Sequence, residues 1–227
     1  LLKAAPNGWV MEYYIGKDYS LGGITLLCRF DGQRVTMASQ MSEADETVSS
    51  LYSVKSEQAT MLSFDTYNYL VHYFGQPQGS MSDDPNGTLG GDYEFIISSA
   101  SAERIELKGK KYGNRIVMKA LTEDQTWKQY LTKIKKVEDD AFFYEYDLLM
   151  DGLYTGQMIR SNYTFIVTYY DEIGKVHQKT VPFMFTADGL RFHEPVTIDG
   201  QTMQNFVWKN ELISFVCTDE GATGVKL

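Results

Sequence analysis

Alternation between apolar and polar positions dominates the chain. Trp9, Met11, Tyr13 and Ile15 fall on one face of a first run, and Ile24, Leu26, Cys28 and Phe30 on one face of a second. A period of two puts every second side chain on the same side of a pleated strand. Asp31-Gly32 separates the second run from Val35–Ala38, and an Asp-Gly pair between alternating runs predicts a hairpin. Further strands are predicted at Leu51–Lys55, Met61–Phe64, Tyr69–Phe74, Tyr93–Ser98, Arg104–Lys108 and Arg115–Lys119, with Gly109–Gly113 as a basic hairpin turn. Between Gly75 and Gly91 the alternation stops. Five glycines and two prolines there predict a long loop, of the kind that is usually functional or mobile.

One segment changes period. Thr122-Glu123-Asp124-Gln125 has the residue types of a capping box, in which the hydroxyl accepts from a backbone amide and the Gln side chain reaches back. Trp127, Tyr130, Leu131 and Ile134 follow at i, i+3, i+4 and i+7, one apolar helical stripe. A helix from about Glu123 to Val137 is predicted, with acids in its first turn, lysines in its last, and the stripe buried against β structure.

Strand signals then resume at Phe142–Leu149, Leu153–Ile159, Tyr163–Tyr170, His177–Thr186, Leu190–Phe192, Asn205–Trp208 and Leu212–Cys217. Asp151-Gly152, Ile173-Gly174, Asp188-Gly189 and Asp199-Gly200 punctuate them as turns, and Thr218–Leu227 reads as a frayed polar tail. Strands, one helix, then strands again is not a βαβ alternation, so a parallel sheet is not expected. The pattern predicts a mainly β fold: antiparallel meanders forming a barrel or sandwich, lipocalin-like, with one long α-helix near the middle. Two domains are expected, an N-terminal antiparallel β domain over 1–120 and a linking helix plus C-terminal antiparallel β domain over 121–227. Leu62-Ser63-Phe64-Asp65 and Phe185-Thr186-Ala187-Asp188 hint at an internal repeat.

Composition agrees with a packed domain. Of 227 residues 43% are hydrophobic and 22% charged, which is enough apolar material for a core. The net charge of −9 removes nucleic acid as an expected partner, because phosphates call for a clustered basic face. The richest basic run, Lys133, Lys135 and Lys136, is followed at once by Glu138, Asp139 and Asp140 and reads as a helix end. No apolar stretch approaches the roughly 20 residues that span a bilayer as a helix. Cys28 and Cys217 both lie in apolar alternation and are expected to be buried free thiols, a single long-range disulfide being the alternative.

The chemistry on offer is sparse. His72, His177 and His193 form no His-x-x-x-His pair, and no Cys-x-x-Cys, nucleophile elbow or phosphate-binding glycine motif is present. No cofactor is expected. Asp83, Asp84, Asn86 and Asp92 crowd the glycine-rich loop as candidate oxygen ligands for calcium, though without EF-hand spacing. Asp139-Asp140 and Asp83-Asp84 are adjacent in sequence, and neighbours on a strand point to opposite faces. The richest patch runs from Ser63 to Phe74. Asp65, Tyr67 and Asn68, with His72 nearby, combine rings with hydrogen-bonding groups on a tight polar turn and form the candidate ligand-binding site; the plain alternative is a hairpin whose Asp and Asn satisfy the turn backbone.

Asn7-Gly8-Trp9-Val10-Met11-Glu12-Tyr13-Tyr14, Leu62-Ser63-Phe64-Asp65-Thr66-Tyr67-Asn68, Gly91-Asp92-Tyr93-Glu94-Phe95 and Leu107-Lys108-Gly109-Lys110-Lys111 occur in that order. Together they resemble an uncharacterised family of Bacteroides-type lipoproteins, a domain of unknown function. The resemblance spans about residues 6–120 and is weaker at Phe185–Pro195 and Gly200–Phe206. It implies an extracytoplasmic protein of the outer membrane, on its periplasmic or cell-surface side. The only membrane attachment implied is a lipidated cysteine upstream of Leu1. The expected function is a non-catalytic module that binds a small molecule or glycan. The alternatives are a hydrolase using carboxylates with His72 or His193, and a structural subunit of a cell-surface assembly.

Overall fold

The computed structural model describes residues 1–56, 59–77, 87–171 and 173–227. They form two compact units, the first of Leu1–Ser20 and Ile24–Leu131, the second of Leu21–Gly23 and Thr132–Leu227.

The first unit is a closed barrel of eight antiparallel strands in sequence order: β1 (Trp9–Ile15), β2 (Gly22–Asp31), β3 (Arg34–Ser39), β4 (Val48–Ser56), β5 (Thr60–Phe64), β6 (Glu94–Ala100), β7 (Arg104–Gly109) and β8 (Arg115–Ala120). It closes through five pairs between β1 and β8, from Trp9↔Ala120 to Tyr13↔Ile116. Closure removes the sheet's unpaired edges. Alternation sorts the side chains: Leu26, Cys28 and Phe30, Leu62 and Phe64, Ile105 and Leu107, and Ile116 and Met118 are buried, while Glu106 and Lys108 are not. β4 is the polar exception, with Ser50 its buried residue.

The second unit repeats the plan with β9 (Glu145–Met150), β10 (Leu153–Ser161), β11 (Thr164–Tyr170), β12 (Val176–Phe185), β13 (Gly189–Ile198), β14 (Gln201–Lys209), β15 (Ser214–Cys217) and β16 (Val225–Lys226). Asp151-Gly152 and Asp199-Gly200, expected as turns, make two-residue hairpin turns with φ of 50° and 82°, and 46° and 75°. The interior is filled with rings. Phe165 and Phe183 stack at 4.2 Å, and Phe185, Phe192, Phe206 and Phe215 surround them.

The mainly β, antiparallel meander fold is therefore as the pattern predicts, and both meanders close as barrels. Four local expectations are corrected. Tyr69–Phe74 is not a strand: α1 (Tyr69–His72) occupies it, and Leu70, Val71 and Phe74 are the buried positions, a helical spacing. The second helix, α2 (Trp127–Asp140), starts a turn later than expected. Its capping box is Thr126–Gln129, in which the Gln129 amide donates to Thr126 Oγ1 (3.2 Å) and the Thr126 amide to Gln129 Oε1 (2.8 Å), while Thr122 donates to the Asp124 carboxylate. The first turn consequently lacks acids and the last lacks lysines. Leu131 and Ile134 of the stripe are fully buried, Trp127 and Tyr130 half-buried.

The C-terminal segment is no frayed tail. β16 pairs with β15 (Val216↔Lys226) and with β9 (Val225↔Met150) and so closes the second barrel, with Ala222, Val225 and Leu227 buried. The hinted repeat does not match strand for strand either: Phe64 ends the fifth strand of its barrel, Phe185 the fourth of its own. Cys28 lies in the first unit and Cys217 in the second, both buried and free. Burial pushes both thiols up, Cys217 to about 11.

Candidate functional site

β5 delivers the chain to the rim of the first barrel. Phe64 donates its amide to Tyr93 O (3.1 Å), Asp65 donates its amide to Leu51 O (2.9 Å), and the Leu51 amide donates to Thr66 Oγ1 (2.8 Å). These bonds end the β4–β5 pairing and turn the chain outward. Asn68 then starts α1. Its side chain is fully buried, Oδ1 accepting from the Leu70 amide (3.1 Å) and Nδ2 donating to Ser50 Oγ (3.2 Å). That is an N-cap, so Asn68 is a scaffold residue here and not a surface ligand contact. The one buried serine of β4 is its partner, which accounts for a polar residue inside the barrel.

The cap aims the rings. His72 sits one turn beyond Asn68, with Nδ1 3.2 Å from the Asn68 backbone nitrogen and 3.0 Å from its oxygen. That contact holds the imidazole between two tyrosines. Tyr93 stacks on it at 4.5 Å and 22°, and Tyr67 lies across it at 5.5 Å and 41°. Tyr67 is 63% exposed and Tyr93 40%, so the rings present area to solvent. Tyr69 and Tyr73 are exposed on the same segment. The Tyr69 hydroxyl donates to the Glu46 carboxylate, and this hydrogen bond raises its pKa. Tyr69 is thus turned to Glu46, and the ring that stacks on His72 opposite Tyr67 is Tyr93.

Asp65 is exposed, and its Oδ1 accepts from Ser53 Oγ at 3.0 Å. It borders an open depression of about 430 Å³ whose walls include Gln33, Tyr52 and Ser53. One residue separates Asp65 from Tyr67, so their Cα atoms are at most about 7 Å apart. A polar depression and an aromatic surface thus meet at one rim. Tyr93 and Ser53 were missed by sequence reasoning because neither is near Asp65–His72 in the chain; cross-strand neighbours show only in the folded sheet.

Of the calcium candidates, Asp83, Asp84 and Asn86 lie outside the described residues. Asp92 is buried at 3% exposure, and its Oδ1 accepts from the Lys111 (2.7 Å) and Tyr112 (3.3 Å) amides, fastening the β7–β8 turn. Its backbone oxygen accepts from the Tyr13 hydroxyl at 2.8 Å. Burial raises its pKa against the pull of those amides. Asp92 accordingly does structural work at the turn. Of the Gly75–Gly91 loop, the described ends carry no strand, and the Gly91 amide donates to Phe74 O (2.9 Å).

Elsewhere, His177 Nε2 lies 2.8 Å from Asp171 Oδ2 and stacks on Tyr169, while His193 Nδ1 is 3.9 Å from Glu194 Oε1. Among the described residues no three His, Cys, Asp or Glu side chains gather as metal ligands. Among the described residues no helix is long and apolar enough to cross a membrane.

These two barrels, with an aromatic rim on the first, define an all-β protein of the eight-stranded meander class. A family model described as "Domain of unknown function (DUF4302)" matches residues 1–210, and the chain belongs to that family. No curated protein and no solved structure matches the chain.

Proposed function

We propose that this protein is a non-catalytic binding module for a glycan or similar polar ring compound, acting outside the cytoplasm and held at the bacterial outer membrane by a lipid anchor upstream of Leu1. The observation that carries the binding reading is the Tyr67–His72–Tyr93 stack, preorganised by the Asn68 cap yet open to solvent. Apolar sugar faces pack on exposed rings, and hydroxyls need charged or polar acceptors beside them, which Asp65 and the Ser53–Tyr52 depression supply. Rings fixed in advance lose little freedom on binding. The anchor and location rest on the lipoprotein resemblance of the four sequence motifs alone.

A glycan array on the purified chain, followed by calorimetric titration of any hit, tests the reading. Tyr67→Ala is expected to weaken the hit about tenfold, or roughly 1.4 kcal/mol, with the melting temperature unchanged. Full affinity in Tyr67→Ala and in Tyr93→Ala would move the site elsewhere, and product release from any array glycan would make the protein an enzyme.

A further inference from the structure

The second barrel carries an unexplained cation at one rim. Arg160 sits near the end of β10, half-buried, with Nη1 shielded from water and without a hydrogen-bond partner. No carboxylate pairs with it among the described residues. Its guanidinium lies 4.3 Å from the Phe142 ring and 5.7 Å from the Phe185 ring and within hydrogen-bonding reach of the Tyr146 hydroxyl, so Nη1 is the part of the group left unpaired. Ring faces attract the cation but accept its N–H groups only weakly, so a shielded Nη1 without a conventional acceptor remains costly.

The ring over this group is itself open to solvent. Phe142 is 69% exposed, and the backbone beside it is fixed by the Phe143 amide donating to Ala141 O (2.9 Å) and the Arg160 amide donating to Tyr144 O (2.8 Å). Apolar side chains lie at the same end of the barrel, beside the exposed Glu145, Lys209, Asn210 and Glu211. Phe143 leans on Trp208 (6.5 Å), and Tyr144, Leu212 and Ile213 are exposed. Ile213 is 67% exposed at φ 48°, a left-handed conformation that a β-branched residue adopts only under strain. Such outliers cluster at ligand-binding positions.

We propose that this rim binds a monocarboxylate with an apolar body, the carboxylate displacing Phe142 to pair with Arg160 and the body lying along Phe143, Tyr144 and Ile213. A guanidinium edge matches carboxylate geometry. One cation on a chain of net charge −9 suits a single negative charge better than a doubly charged phosphate.

Calorimetric titration of the full chain with monomeric decanoate tests this, with decanol and acetate as tail-only and head-only probes. One saturable decanoate site is expected, at least tenfold tighter than either control. Arg160→Met should weaken decanoate at least tenfold, Arg160→Lys less, and Phe142→Ala not at all; Tyr67→Ala should leave it unchanged, which separates this site from the one on the first barrel. Equal binding of decanol and decanoate by the wild-type chain would overturn the proposal, even if Arg160→Met fails to fold. So would wild-type affinity in Arg160→Met, or binding to anionic phospholipid vesicles without binding to monomeric decanoate.

Discussion

The two barrels share a plan and differ in how they close. The first is sealed by five residue pairs between β1 and β8, long strands far apart in the chain. The second is sealed by a two-residue strand, β16, inserted between β15 and β9. Their interiors differ as well. Both mix Leu, Met, Ile, Cys and aromatic side chains, but among the described residues the second buries six phenylalanines against four in the first, and the first admits a buried Asn68–Ser50 bond. A barrel can thus be closed by extensive pairing or by a short plug whose side chains enter a dense core. The short plug concentrates stability in a few residues at the chain end.

The strongest way to break the comparison is to delete residues 222–227. Val225 and Leu227 alone should account for about 3–6 kcal/mol of burial. Peptide-resolved hydrogen exchange should then show lost protection across β9–β15, with β1–β8 protected as before. Equal loss in both barrels would mean that they unfold as one body.

A smaller effect is expected in the first barrel from Asn68→Ala. Losing a buried cap and stranding Ser50 should cost about 1–3 kcal/mol by chemical denaturation, confined to the first unit. Because the cap holds His72, weaker glycan binding should accompany it. Tyr67→Ala, in contrast, should touch binding alone.

The finest distinction is in pH. Burial raises the Asp92 pKa above the ordinary 3.8, so the folded first barrel holds that proton more tightly than the unfolded chain does. This contribution is complete below the ordinary value and is lost as pH rises through the folded one. Asp219 in the second barrel is the reverse. Burial pushes its pKa up, but hydrogen bonds from Asn205, Gln204 and Cys217 outweigh that and leave it lowered. Its contribution is present above the ordinary value and is lost as pH falls through the folded one. Acidification from about pH 5 to about pH 3 should therefore favour the first barrel through Asp92 and weaken the second through Asp219, each relative to its Asp→Asn variant. Parallel profiles for wild type and variant would remove either effect.

What the amino-acid order determined by itself is the local periodicity. Alternation marked most of the strands, Asp-Gly pairs marked two-residue turns, and the 3.6 period marked Leu131 and Ile134 of α2, because each depends on near neighbours. Where two periods coincide, order alone did not decide. Leu70 and Phe74 are consistent with both a strand and a helix, and the Asn68 cap bonded to distant Ser50 settles it as a helix. The same holds for the capping box, where Thr122 and Thr126 are both acceptable starts and only Thr126 makes the reciprocal bonds. Segment 218–227 looked like a tail because two residues of strand carry no readable period; it became a seam once β9 and β15 stood either side of it. The candidate site divides along the same line. Tyr67 and His72 were legible as neighbours in the chain, but Tyr93 and Ser53 joined them, and Asn68 left for the interior, only when β4, β5 and β6 came together. Contacts between residues distant in sequence have no local signature, so tertiary packing alone assigned those side chains to surface or core.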